Sequence, residues 1–297
     1  YIEECLRSIV AQKTNYNVEI VLSDDCSQDD TVVKARNILE GTNFKYTINV
    51  MEKNGGFQEN LKAALSMCSG RYIALCEADD YWLSTSRVTK QIEILDDNKD
   101  LAFCFSAAKS INSDGSFLDD MRPHIGNKIY TSSEITSKGC SLCPTFTIVF
   151  RNLFFKKITQ DIYNQPVFDY PLQILLATHG PAYYFDDFFG CYRRNSIGSW
   201  TAAGGSSQTL IERYKASREM HAFLLRNISN EYKKGLNMHF FKACLVFLRR
   251  ENIDFNEKLN EIKLDGKRFG FLCSLSYCAL FFFTIKNLFF KSLKFNN

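Results

Sequence analysis

The sequence predicts an α/β fold in which a doubly wound, mostly parallel sheet is flanked by helices. Three observations lead to this prediction. Strand-like and helix-like segments alternate from residue 2 to residue 76. The strand-like segments are nearly continuous in apolar character, as in parallel sheets that are buried on both faces. Two of them run directly into clustered acids, at the sheet edge where open α/β folds bind ligands.

Apolar spacing and turn residues define the first elements. In helix 2–10, Ile2, Cys5 and Ile9 fall on one face at helical spacing. An Asn-Gly-Gly turn at 54–56 precedes another helix, for which Gly70 supplies the C-terminal stop. The predicted order is helix 2–10, strand 17–22, helix 32–39, strand 45–51, helix 57–68 and strand 72–76.

Acids follow two of these strands. Glu77, Asp79 and Asp80 come directly after strand 72–76, and Asp24 and Asp25 follow strand 17–22. Because parallel strands end at the same sheet edge, we expect both clusters to face one crevice. Crowded carboxylates need a neutralising partner, and oxygen ligands of this kind suit Mg or Mn. The alternative interpretation is a solvated turn at each place, with aspartates that cap the following helices.

The second half of the chain continues with strands and helices. Alternating or continuous apolar residues predict strands at 101–105 and 145–150, with a hairpin turn at 112–115. Asp169 precedes an apolar helix and stands two positions before Pro171, which makes it a good N-cap. The positive end of that helix is expected to keep the pKa of Asp169 low.

The C-terminal part differs in composition. We predict a first domain over residues 1–205 and a helical region over 206–297. Residues 269–285 carry no charge and are followed by lysines without an acid. They suit either a helix lying on an anionic membrane surface or a helix packed on the first domain. Flotation with anionic vesicles separates these two interpretations.

Composition restricts the class of protein. The 297 residues carry a net charge of only +3, which argues against a nucleic-acid partner. The 11 cysteines are scattered and mostly lie in apolar segments, as is typical of reduced thiols in a cytoplasmic protein. No signal peptide is recognised. The chain begins at Tyr1, without Met and directly in a helical pattern, so we expect it to be a fragment of a longer protein.

The order of several motifs resembles one enzyme family. Residues 24–31 read D-D-C-S-Q-D-D-T and resemble the D-D-x-S-x-D-x-T segment of family 2 glycosyltransferases. The turn at 54–56, G-R-Y-I at 70–73 and E-A-D-D-Y-W at 77–82 follow in the family's order. The resemblance covers about the first 200 residues and implies a GT-A (Rossmann-like) fold with a helical C-terminal appendage.

The resemblance also implies roles for individual residues. Asp25 would hold the base of a nucleotide-sugar and Asp24 would support it. Glu77 and Asp79 would form the family's D-x-D motif, in which Asp79 binds the metal that bridges the diphosphate. Glu77 replaces the usual first Asp, which keeps the charge and lengthens the arm toward ribose or metal.

Two further positions match the family near the end of the sheet. Asp169 stands where the family keeps its catalytic aspartate. Residues 192–200 resemble the family's Y-R-x-H segment, in which Arg193 would meet the diphosphate. Asn195 stands where His is common, and it offers only an amide to a metal or a phosphate.

The resemblance therefore implies an inverting glycosyltransferase that depends on Mn or Mg. Its donor would be a UDP-sugar. Its acceptor would be a hydroxyl of a cell-surface glycan or of a lipid-linked precursor. We expect it in the cytoplasm or at the cytoplasmic face of the membrane. Two alternatives stay open: a nucleotidyltransferase on a similar sheet, and a non-catalytic, membrane-associated module descended from such an enzyme.

Overall fold

A computed structural model describes residues 1–139, 142–196 and 206–248. The helices of this part are α1 (Ile2–Val10), α2 (Thr31–Leu39), α3 (Phe57–Met67), α4 (Arg87–Asp97), α5 (Ser132–Lys138), α6 (Asn152–Phe155), α7 (Asp169–Ala177), α8 (Ser207–Asn227) and α9 (Asn230–Leu248). The strands are β1 (Glu19–Asp24), β2 (Lys45–Val50), β3 (Tyr72–Ala74), β4 (Tyr81–Trp82), β5 (Phe103–Ile111), β6 (Phe117–Met121), β7 (Lys128–Tyr130), β8 (Val149–Arg151) and β9 (Ala182–Arg193).

The first two strands form a parallel pair. β1 runs beside β2 with Glu19 opposite Lys45 and Asp24 opposite Val50. Helices α1 and α2 cover this pair because their apolar faces meet in one buried cluster with Ile20 of β1. The pair fixes Asp24 at the carboxyl end of β1.

A larger sheet contains the other strands. Its order is β3-β8-β5-β9-β4, with β6 added to β5 and β7 added to β9. Within this sheet of the described chain, β5 and β9 pair in parallel and the remaining pairs are antiparallel. The predicted mixed α/β fold is confirmed. The prediction that most strand pairs are parallel is wrong, since most pairs of the described strands are antiparallel. Beyond α4 strand no longer alternates strictly with helix: a tight turn joins β5 directly to β6 and makes these two strands antiparallel.

The main core surrounds β5 and positions α7. Rings of Phe105, Tyr130 and Tyr184 lie 5.3 to 6.2 Å apart between their centroids. From Tyr170 to Ala177 every side chain of α7 is buried, as expected for a helix that is apolar on all sides. This burial fixes the N-terminal end of α7, where Asp169 lies.

The chain divides into two compact units. The first comprises Tyr1–Gly204 and Ala216–His239, and the second comprises Gly205–Lys215 and Phe240–Asn297. In the second unit, Ile211, Tyr214 and Phe240 belong to one buried apolar cluster. Among the helices that the structure describes, none is both long and apolar enough to cross a membrane. The membrane-surface prediction for residues 269–285 falls outside the described residues.

Candidate functional site

The loop after β1 holds the first acid pair. Asp24 is buried, and its Oδ2 accepts a hydrogen bond from the Ser27 backbone N–H at 2.8 Å. The two carboxylate oxygens of Asp25 accept from the backbone N–H groups of Gly55 and Gly56 at 2.7 and 2.9 Å. Gly56 has φ +83°, a conformation that a residue without Cβ adopts at little cost. The Asn-Gly-Gly turn therefore fixes the Asp25 carboxylate.

A second group of acids follows β3. Glu77 and Asp79 are half-buried and Asp80 is buried. Asp80 accepts a hydrogen bond at Oδ1 from the Arg193 backbone N–H at 2.8 Å. Glu77 Oε2 and Asp80 Oδ2 are buried oxygens without a hydrogen-bond partner among the described residues. Buried acceptors of this kind are uncommon in proteins and point to a missing ligand or water.

Burial and neighbouring negative charges make Glu77 and Asp80 hard to ionise. Burial, together with the negative charges of Asp79 and Asp169, raises the pKa of Glu77 to about 7. Burial and the charge of Glu77 raise the pKa of Asp80 to about 10. The charge of Asp169, at the start of α7, contributes to the raised pKa of Glu77, so Asp169 lies within electrostatic reach of Glu77.

Asp169 occupies the first turn of α7 but does not behave as expected at a helix end. Phe168 is the N-cap and Asp169 is the first helical residue, with Oδ1 accepting from the Tyr170 backbone N–H at 2.7 Å. The prediction of a low pKa for Asp169 is wrong. Burial raises the pKa of Asp169 more than this hydrogen bond lowers it. A raised pKa makes the ionised carboxylate a stronger base.

The end of β9 contacts the acidic motif directly. Arg193 is 5% exposed; its Nε donates to the Asp79 carbonyl oxygen at 3.1 Å and its Nη2 pairs with Glu4 at 2.5 Å. Its Nη1 donates to the carbonyl oxygens of Asn112 and Ser113. The guanidinium therefore holds the Asp79 main chain in place and is engaged on several sides.

The structure brings some of the predicted residues together and leaves others apart. The charges of Asp79 and Asp169 both act on Glu77, and Arg193 contacts Asp79. Among the described residues, no hydrogen bond or ion pair joins the pair Asp24 and Asp25 to that group.

Two contact residues were missed by the sequence analysis. Glu4 pairs with Arg193, and Ser196 donates to an Asp79 carboxylate oxygen. Both lie far along the chain from their partners. Glu4 belongs to no motif, and Ser196 lies in the segment 192–200 but at none of the positions to which the resemblance gives a role.

Glu77 and Asp79 can supply only some of the ligands of a divalent cation. The described residues contain no group of three or more His, Cys, Asp or Glu side chains placed to hold a metal. Glu77 and Asp79 nevertheless offer carboxylate oxygens, which Mg and Mn prefer, and Glu77 Oε2 has no other partner in the part of the chain described. These residues fit a cation whose remaining ligands come from a diphosphate and water.

Comparison with known proteins finds relatives that align with much of the chain. The chain is 28% identical over 204 residues to the Mycobacterium tuberculosis protein Rv1520, an alignment that covers 68% of this chain and 58% of the relative. This chain thus spans about three fifths of that relative's length.

Solved structures share the fold. TarS residues 1–349 of S. aureus, in complex with UDP-GlcNAc, match with a TM-score of 0.61 and 17% identity over 84% of this chain and 77% of that one. The mannosyltransferase PcManGT of Pyrobaculum calidifontis, in complex with GDP-Man and Mn²⁺, matches with a TM-score of 0.60 and 16% identity over 99% of this chain and 78% of that one.

A family profile covers more than half of the chain, including β1 to β8 and the acids at 24–25 and 77–80. It is the profile described as "Glycosyl transferase family 2", and it matches residues 1–156. This chain belongs to glycosyl transferase family 2 and has the GT-A fold.

Proposed function

We propose that this chain carries the catalytic site of an inverting, metal-dependent glycosyltransferase that uses a UDP-sugar. The observation that carries the proposal is a buried oxygen of Glu77 without a partner among the described residues, on a carboxyl group whose pKa the charges of both Asp79 and Asp169 raise. The donor complex of TarS, which contains UDP-GlcNAc, supports UDP as the nucleotide.

The donor would be held at both acid groups. Asp25, fixed by Gly55 and Gly56, would bind the base with Asp24 behind it. Glu77 and Asp79 would face the ribose and diphosphate together with Mn or Mg, as the Mn²⁺ complex of PcManGT supports. Arg193 would serve the donor by holding the Asp79 main chain. The bound cation supplies neutralisation of the negative charge that develops on the leaving diphosphate.

Asp169 would act on the acceptor. Its carboxylate would accept the proton of an acceptor hydroxyl while that oxygen attacks the anomeric carbon opposite the departing diphosphate. A single displacement of this kind inverts the configuration at the anomeric carbon. The acceptor would be a cell-surface glycan or a lipid-linked precursor, which agrees with a membrane surface as partner of residues 269–285.

Substitution of Asp79 tests the metal and donor assignments. We expect Asp79→Asn in the full-length protein to abolish Mn²⁺-dependent UDP binding in calorimetry, since an amide oxygen carries no net charge for the cation. The melting temperature should stay within a few degrees, because the Asp79 contacts to Arg193 use the main chain.

A matched control distinguishes the loss of a negative charge at the site from the loss of one elsewhere on the protein. Asp187 is an exposed acid that pairs with Lys90 on the surface. We expect Asp187→Asn to bind UDP and Mn²⁺ as the unaltered protein does. Unchanged Mn²⁺-dependent UDP binding by Asp79→Asn would refute the metal assignment.

A thermal-shift screen of UDP- and GDP-sugars, with and without Mn²⁺, identifies the nucleotide.

A further inference from the structure

The chain segment that follows β9 holds the acidic motif from one side. Ser196 is 3% exposed, and its Oγ donates a hydrogen bond to Asp79 Oδ2 at 2.5 Å. From the same segment, Arg193 donates its backbone N–H to Asp80 and its Nε–H to the Asp79 carbonyl oxygen. The main chain of Asp79 is thus held by Arg193, and its carboxylate by Ser196, three residues further along the chain.

We propose that Ser196 is a positioning residue that sets the orientation of the Asp79 carboxylate for the cation and the donor diphosphate. This inference rests on the proposed function of Asp79. A hydrogen bond from Ser196 to Oδ2 leaves Oδ1 as the oxygen presented to a ligand. The carboxylate then binds a cation through one defined oxygen, instead of rotating between several arrangements.

The local backbone explains why a serine reaches this position. β9 ends at Arg193, and Asn195 has φ +62°, a left-handed conformation that Asn tolerates better than most residues. This turn redirects the chain so that the next side chain, Ser196, meets Asp79. Asn195 stands where the family commonly has His, so the segment contributes through its shape and through the hydroxyl that follows.

The chemistry of a hydroxyl suits this task. A serine carries one O–H donor and no charge, so it orients a carboxylate without neutralising it. Lysine or arginine at the same place would form an ion pair with Asp79 and compete with the cation. Groups that hydrogen-bond a metal ligand in this way typically change metal affinity about 10- to 100-fold when they are removed.

The test measures metal binding directly. Mn²⁺ is titrated into the full-length protein saturated with UDP, and free Mn²⁺ is followed by electron paramagnetic resonance. We expect Ser196→Ala to weaken Mn²⁺ binding about 10- to 100-fold. Ser196→Thr retains the hydroxyl and should restore binding to within about threefold of the unaltered protein, as expected for a donor effect.

A second buried serine provides the matched control. Ser110 is fully buried in β5, and its Oγ has no hydrogen-bond partner among the described residues. Ser110→Ala removes the same hydroxyl from a similar environment and should leave Mn²⁺ affinity unchanged. Melting temperatures of all variants show that they are folded.

The outcomes distinguish the inference from the function on which it rests. Weak Mn²⁺ binding by Ser196→Ala, with recovery in Ser196→Thr, supports the positioning role. If Ser196→Ala binds Mn²⁺ normally while Asp79→Asn loses it, the positioning role is overturned and the metal assignment stands. If Asp79→Asn itself retains Mn²⁺-dependent UDP binding, the proposed metal site fails as a whole.

Discussion

At the scale of single residues, burial gives three chemically similar acids different properties. Burial raises the pKa of Glu77 to about 7 and the pKa of Asp80 to about 10. Burial also raises the pKa of Asp169, while the Tyr170 N–H stabilises its ionised form. The carboxylate of Asp169 is therefore more basic than that of an exposed aspartate, which suits a general base.

Asp169→Asn tests this role because it separates proton removal from helix geometry. The amide oxygen can still accept the hydrogen bond of the Tyr170 N–H, so the start of α7 should persist. The amide cannot take up a proton at neutral pH. We expect kcat to fall by about two orders of magnitude or more, with donor KM and melting temperature nearly unchanged. Initial rates of sugar transfer measure this.

Asp161 offers a control close in sequence to Asp169. It is an exposed acid in the 3₁₀ turn Gln160–Asn164. Asp161→Asn should keep full turnover, since it removes a negative charge without touching the site. If Asp169→Asn retains most of its turnover as well, Asp169 is a residue of the helix end and another group removes the proton.

The sequence points to those candidate-site residues that belong to local motifs. Glu77 and Asp79 could be found because they are adjacent to an apolar strand, and Asp169 because its position resembles a family motif. Ser196 and Glu4 could not be found, since their contacts join residues 117 and 189 positions apart. Single hydroxyls and helix-surface acids are common, so only the tertiary fold shows which of them meets the site.

At the scale of elements, periodicity predicted which segments are strands better than how they pair. The parallel pair β1 and β2 follows from the helix between them, which carries the chain back to the same sheet end. β3 was expected to join that pair, but it pairs with β8 in the larger sheet. Residues 145–150 were expected to form one strand, yet Thr145–Thr147 is a 3₁₀ turn and β8 begins at Val149. Partners and turns of this kind depend on contacts distant in sequence.

Substitution of Gly190 tests how closely β9 packs against the 3₁₀ turn Thr145–Thr147. A Cβ at position 190 would lie 2.1 Å from Cε2 of Phe146, which is buried and whose carbonyl oxygen accepts a hydrogen bond from Arg87. Since Phe146 has little room to move, we expect Gly190→Ala to lower the free energy of unfolding by about 1–3 kcal/mol. Urea denaturation followed by circular dichroism measures the change.

Gly41→Ala is the control for the glycine substitution itself. A Cβ there would meet its nearest neighbour, the Ile38 carbonyl oxygen, at an ordinary 3.6 Å. We expect a change within about 0.5 kcal/mol in the free energy of unfolding. Equal stability of the two variants would mean that the Phe146 ring moves aside freely, contrary to the packing described above.

At the scale of the whole molecule, the division into two units determines how stability should be measured. Trp82 is buried in the first unit, in the segment Tyr1–Gly204. Tryptophan fluorescence of this chain therefore reports the unfolding of the unit that contains the candidate site. His221 belongs to the same unit.

The lowered pKa of His221 predicts that the free energy of unfolding of this unit depends on pH. Burial and the charge of His239 lower the pKa of His221 from 6.5 to about 4, although the hydrogen bond with Asn237 acts in the opposite direction. Between about pH 6.5 and 4 the unfolded chain therefore binds a proton that the folded chain does not. The free energy of unfolding should fall as the pH drops through this window, by at most about 3 kcal/mol from this residue.

Other groups also titrate in that window, so the measurement compares variants. Urea denaturation followed by tryptophan fluorescence between pH 7 and pH 4 gives the free energy of unfolding of each. His221→Gln lacks the titrating ring and should lose less stability on acidification than the unaltered protein, by up to about 3 kcal/mol. His124→Gln, at an exposed position, should follow the unaltered protein. If His221→Gln and the unaltered protein lose stability in parallel, the folded chain accommodates the charged imidazolium at position 221 as readily as the unfolded chain does.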